Sequence, residues 1–245
     1  MQRLSYPGLA ALFVLLVGAP AMAWAAQLPA GYRLAQTLTI EEGRQLQVLE
    51  DQRISAQLHK DSWGNGQLED SFDEPGDLVD NPLLEARVRL VSAAGEEIAQ
   101  QDLGYPLAKV KKAALNGLPE PVYFLIVDQT APMGTYSGPA TQLLQPATQQ
   151  LKPMSYKNAE GKVQPLTLAH TGKAAWKVAH PASGGADELL QVSCFMEGEG
   201  EGEEDDFTTR YQTYRFVDGQ WQSTSSQKQG YWDMESDFPA RTAFP

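Results

Sequence analysis

The chain has 245 residues, with 31 Asp and Glu against 19 Lys and Arg, a formal net charge of −12. That balance argues against a nucleic-acid-binding face, which needs an extended stripe of basic residues. The compact basic patch here is only Lys109, Lys111 and Lys112. With one cysteine, Cys194, the chain forms no internal disulfide, so stability must come from a buried core.

Residues 1–26 read as a secretory signal. Arg3 supplies a positive start, and Leu9 to Val17 form an apolar run too short to span a bilayer as a helix. Small residues at Ala21, Ala23, Ala25 and Ala26 offer cleavage sites. The expectation is an exported protein, periplasmic or secreted, beginning at residue 24, 26 or 27 and not stably inserted in a membrane. The remaining 27–245 read as a single β-rich domain, with two sub-sheets divided near 106–121.

Short alternating runs separated by Gly, Pro, Asn and Asp predict strands at 32–40, 44–49, 53–59, 85–93, 97–103 and 122–128 in the first half. The segment LAKVKKAAL (107–115) follows Pro106 and precedes Asn116-Gly117. It predicts the one short helix, and 80–86 offers another helical turn. Further strands are predicted at 139–145, 148–156, 163–169, 174–180, 188–196, 207–217 and 220–229. Asp218-Gly219 fits the positive-φ turn of a two-residue hairpin, with looser turns at Ala94-Gly95 and Asn158–Gly161. In 188–196, Leu190, Val192, Cys194 and Met196 alternate on one side, which points Cys194 into a core. The fold class is mostly β: an antiparallel β-sandwich or open barrel with one short helix, or alternatively a small propeller-like array.

The excess charge lies in two short stretches. Residues 69–80 hold six acids and 197–206 hold seven, neither with a base. With those thirteen acids and the leader's Arg3 set aside, 18 acids face 18 bases. Clustered carboxylates suit a cation or a basic partner. Around 61–72, Asp61, Asn65 and Gly66 stand at calcium-loop offsets, but Trp63 and Phe72 occupy positions that need ligands. The metal candidates are therefore Asp70, Asp73, Asp77 and Asp80, with calcium as the cation. The Gly-Glu alternation of 197–206 has no such register and reads as a solvated loop.

The histidines are His59, His170 and His180, and none stands at zinc-site spacing. Ser137, in GTYSGP, precedes a glycine but lacks the spacing of a nucleophile elbow. Nine of the 22 aromatics fall in the last 39 residues, chiefly as cross-strand packing. An exposed platform of Tyr231, Trp232 and Trp63 for a glycan or peptide is the functional alternative. The sequence thus predicts a non-enzymatic, exported protein that binds a protein or glycan partner. Its alternatives are a calcium-dependent adhesion or envelope module, and a hydrolase using Ser137 with His170 or His180.

Overall fold

The computed structural model describes residues 27–54, 56–61, 84–129, 136–147, 149–181, 184–196 and 206–245. The candidate ligands Asp70, Asp73, Asp77 and Asp80, together with Trp63, residues 1–26 and 197–205, lie outside the described residues. In chain order the elements are β1 (Tyr32–Thr39), β2 (Gln45–Asp51), α1 (Ala56–Asp61), β3 (Arg87–Val91), β4 (Glu97–Asp102), β5 (Ala108–Lys112) and β6 (Tyr123–Gln129). There follow β7 (Gly138–Pro146), β8 (Leu151–Pro153), β9 (Ser155–Lys157), β10 (Val163–Pro165) and β11 (Thr167–Ala169). The last four are β12 (Ala174–Ala179), β13 (Glu188–Met196), β14 (Phe207–Val217) and β15 (Gln220–Gln229).

They form three sheets. The first runs β1-β2-β3-β4, the middle one β11-β7-β6-β5 with β8 on β7, and the last β10-β9-β15-β14-β13-β12. Every ladder is antiparallel except β9 on β15. None of the three closes into a barrel, and their stacking is that of a β-sandwich.

The middle sheet is buried on both faces, and β6 shows why its sequence, VYFLIV, is an unbroken apolar run. Tyr123, Leu125 and Val127 meet Leu46, Val48, Val88 and Leu90 of the first sheet. Val122, Phe124 and Ile126 turn the other way, toward Leu189, Tyr214 and Trp221 of the last sheet. A strand with one wet face would show polar residues at every second position; a strand between two sheets has none to spare. Full burial of each such Leu or Phe contributes about 2 kcal/mol. The outer face of the last sheet is covered by the C-terminal tail, where Leu190, Val192 and Cys194 pack with Trp232 and Phe244.

The short helix is not where the sequence placed it. LAKVKKAAL forms β5, with Ala108 and Val110 buried and Lys109 and Lys111 outward, a period of two. Leu107 and Ala113 are buried just beyond its two ends. β5 pairs with β6, and that pairing decides against helix. The segment read as a strand at 53–59 instead turns and enters α1, where Ile54 and Leu58 pack on Leu107. Arg53 closes this turn with paired bonds to Asp51 at 2.7 and 2.8 Å. Residues 84–86 form no helical turn. The strands at 148–156 and 163–169 each break into two short pieces that serve different sheets.

Candidate functional site

Of three clefts formed by described residues, the largest opens at one end of the interface between the middle and last sheets, with a volume of about 580 Å³. Its deepest residue is Trp221, 1% exposed. The β14–β15 hairpin places it. Asp218 and Gly219 have φ of 51° and 80°, so the chain reverses in two residues. That sets Trp221 opposite Phe216 in the ladder, with the rings edge-on at 5.6 Å. On its other side Trp221 pairs with Tyr156 of β9. Leu118, Pro119, Val122, Met154 and Phe216 supply apolar wall. The polar lining residues include Glu120, Gln145, Lys152, Ser155 and Asp218; Gln145 Nε2 donates to Glu120 Oε2 at 3.5 Å.

The Trp221 indole N–H is buried and has no hydrogen-bond acceptor among the described residues. Buried indole N–H groups normally find a partner, because leaving one unmatched costs about 1–3 kcal/mol. Gln191 Oε1, also buried without a hydrogen bond, lines none of the three clefts, and the buried Nε atoms of Arg44 and Arg87 are ion-paired with Glu42 and Asp102.

A second cleft, of about 500 Å³, lies where β1 and β5 approach one another and includes Gln36, Glu50, His59, Lys109 and Ile126 among its lining residues. The buried Glu50 carboxylate faces His59 Nε2 at 3.1 Å and an Arg33 guanidinium nitrogen at 3.3 Å. Burial lowers the Lys109 ammonium below the ordinary lysine range, opposed by the Asp128 carboxylate. Sequence reading passed over Glu50 because its acid–base partner comes from a helix that had been taken for a strand.

The third cleft, of about 380 Å³, includes Ser137, with the exposed Tyr105 and Tyr136 and with Ala169 and Thr171. The His170 backbone N–H donates to the Pro139 carbonyl at 2.9 Å, so Ser137 and His170 lie near one another along neighbouring strands. His170 is not among the described residues lining this cleft. His180 follows the C-terminal end of β12. His180 Nδ1 lies 2.6 Å from the buried Asp187 carboxylate, which also accepts from the Asn116 backbone and side chain at 2.7 and 3.1 Å. Burial works against the Asp187 charge, but those bonds hold its carboxyl below the usual range. The exposed His180 and the loop residue Asn116 make this an anchor between two connections.

Of the proposed aromatic platform, Tyr231 is exposed while Trp232 is buried, donating from its indole to the Asp237 carbonyl at 3.3 Å. The basic patch is spread along β5: Lys111 stands over the Phe124 ring and Lys112 pairs with Glu41 at 3.6 Å. Among the described residues, no three His, Cys, Asp or Glu side chains are grouped to hold a metal ion. No helix there is long and apolar enough to cross a membrane. No family model, no curated protein and no solved structure matches this chain.

Proposed function

We propose that this chain is an exported, non-enzymatic β-rich protein that works by binding, and that its ligand enters the Trp221 cleft. The observation that carries this is the cleft of about 580 Å³ itself, whose apolar wall of Leu118, Val122, Met154 and Phe216 is backed by the buried Trp221. A concave site with apolar walls and a few polar groups at its rim has the makeup of a small-ligand pocket: the walls take the body and the rim orients it. The leader-like residues 1–26 support export. The acidic rim residues Glu120 and Asp218 match the chain's overall negative charge and favour ligands that are not anions.

The test uses a dimethylaminonaphthalene probe, whose ring fluorescence responds to an apolar surrounding. Wild type should bind it saturably, one to one. Ser155→Trp, which fills the cleft from an exposed position on β9, should abolish that binding while leaving the melting temperature within about 2 °C, as is usual for surface changes. Absence of saturable binding, or equal binding by both proteins, overturns the proposal.

A further inference from the structure

We infer that the cleft between Tyr105 and Tyr136 is a second binding site and takes a neutral oligosaccharide. Its sugar rings lie against the two tyrosines, and its hydroxyls bond to Gln129, Ser137 and Thr171. The site shares no lining residue with the Trp221 cleft.

Two exposed rings converge here. Among the described residues the exposed aromatic side chains are Tyr105, Tyr136 and Tyr231. The first two, 38% and 55% exposed, line the same cleft of about 380 Å³. Single exposed rings are ordinary, but two brought to one concavity from distant parts of the chain mark a contact surface.

The backbone under each ring is set before a ligand arrives. Gly104 turns the chain at φ 70°, and Pro106 restricts Tyr105 to extended backbone. The Tyr105 carbonyl then accepts from the Ala86 N–H at 2.7 Å. On the other side, a Cβ on Gly138 would lie 2.4 Å from the His170 carbonyl oxygen and 3.2 Å from Thr171 Cα. Only glycine lets β7 begin this close to the chain leaving β11, and that approach brings Tyr136 and Ser137 to the same cleft as Thr171. A backbone already fixed lowers the ordering cost of binding.

The lining selects the ligand. Charged residues make up 20% of the chain, yet among the described residues no Asp, Glu, Lys or Arg lines this cleft. Nothing there offsets the desolvation of an anion or a metal ion. The polar lining side chains are the Gln129 amide and the hydroxyls of Ser137, Thr171 and the two tyrosines, and each both donates and accepts. Thr171 Oγ1 accepts from the Lys173 backbone N–H at 3.1 Å, which leaves its own O–H to donate. Sugar hydroxyls match such groups, and the C–H face of a sugar ring suits the electron-rich face of a tyrosine. Gly138, Ala140 and Ala169 are small, so a flat ring can approach the floor. A purely apolar ligand would leave the amide and hydroxyls unmatched.

Calorimetric titration with cellotriose, maltotriose and chitotriose tests the site, with tetramethylammonium as a cationic probe for the pair of rings. At least one trisaccharide should bind wild type saturably, one to one, and tighter than tetramethylammonium. Tyr105→Ala and Tyr136→Ala should each weaken that binding about tenfold, the loss of one stacked ring. Tyr136→Phe, which keeps the ring, should bind tighter than Tyr136→Ala. If Tyr105→Ala lowers the melting temperature, Tyr136→Ala decides, because more than half of that side chain is already in water. Ser155→Trp, which fills the Trp221 cleft, should bind the sugar as wild type does, so the two sites succeed or fail separately. No binding by any of the three sugars overturns the inference, as does unchanged binding in both alanine variants. Tighter binding of tetramethylammonium than of every sugar also overturns it and assigns the rings to a quaternary ammonium.

Discussion

The side-chain amide of Gln36 takes the place of a missing strand for Val110. Its Nε2 donates to the Val110 carbonyl at 2.7 Å, and its Oε1 accepts from the Val110 N–H at 2.9 Å. Gln36 belongs to the first sheet and Val110 to β5, the edge of the middle sheet. A register shift between Leu34 and Gln36 leaves Ala35 out of the β1–β2 ladder, a bulge that re-aims the following side chain. One glutamine thus stitches two sheets together at an edge that would otherwise expose unpaired backbone groups.

Gln36→Leu should therefore destabilise the fold by about 2–4 kcal/mol, since a backbone donor and acceptor on the buried Val110 both lose their partner. Urea unfolding measures it. A change under about 0.5 kcal/mol, the range of an ordinary surface substitution, would show that water replaces the amide without cost.

Acid should loosen the tail that covers the last sheet. Glu188 accepts from Arg215 at 2.6 Å and from Arg241 at 2.8 Å, joining β13 and β14 to the C-terminal segment. Burial raises the Glu188 pKa, yet the two guanidinium groups outweigh it and hold the carboxyl below its usual value. A carboxylate depressed in this way stabilises the fold above its unfolded pKa of about 4.3, and that stability is lost as pH falls through the folded value. Asp187, next in the chain, behaves in the same sense. Glu188→Gln should lower the melting temperature at pH 7 by a few °C, and the wild-type advantage should shrink as pH falls below the unfolded value of about 4.3. A difference that persists unchanged at pH 2.5 contradicts this account.

Cys194 is 2% exposed and sits under Trp232 and Phe244. A thiol-reactive dye should label the native protein slowly and the denatured protein at once. Phe244→Ala opens the covering tail and should speed native labelling by tenfold or more, the factor that follows from about 1.4 kcal/mol of easier local opening. Immediate labelling of wild type, or a reducible dimer, would place the thiol at the surface.

How much of this could be read from the sequence depends on where each signal lies. The strands Glu188–Met196, Phe207–Val217 and Gln220–Gln229 match their expected limits, because long antiparallel hairpins carry their own alternation and their own turn residues. The core face of Leu190, Val192 and Cys194 was legible for the same reason, but Met196, expected on that face, is exposed at the end of the strand. β5 was not: LAKVKKAAL has good helix formers, and its period of two rests on only two buried strand residues, Ala108 and Val110. That VYFLIV is a strand was plain, but that it separates two other sheets was not, since the partners of each face come from opposite halves of the chain. The Trp221 cleft was invisible for a related reason. Trp221 and Phe216 face each other across the Asp218-Gly219 turn, whereas the walls at 118–122, 145 and 152–155 come from distant parts of the chain that only the assembled sheets bring together.

The export proposed from residues 1–26 gives a direct prediction. Intact mass of the protein purified from its exported fraction should correspond to a start at residue 24, 26 or 27, as the small residues before Gln27 require. Recovery of a chain carrying residues 1–26 would contradict the export reading.

The acidic stretch at 197–206 should be dispensable for folding. The β13–β14 ladder closes at the pair Met196 and Phe207, so the hairpin is complete without it. Its residues, alternating Gly and Glu before Glu-Asp-Asp, include no apolar side chain to bury. Its seven carboxylates repel one another, so a short neutral turn should leave the melting temperature unchanged or slightly raised at low salt, with the difference shrinking near 0.15 M salt. Closing a shorter loop also costs less entropy, by about 0.6 kcal/mol per halving of length. The same pair of proteins tests the calcium-dependent alternative. For a binding protein whose ligand lies in the Trp221 cleft, millimolar Ca²⁺ should shift neither melting temperature. A Ca²⁺ shift in wild type alone would assign a cation to 197–206, and an equal shift in both would move the site to Asp70, Asp73, Asp77 and Asp80. Either result would replace the solvated-loop reading with a metal-dependent one.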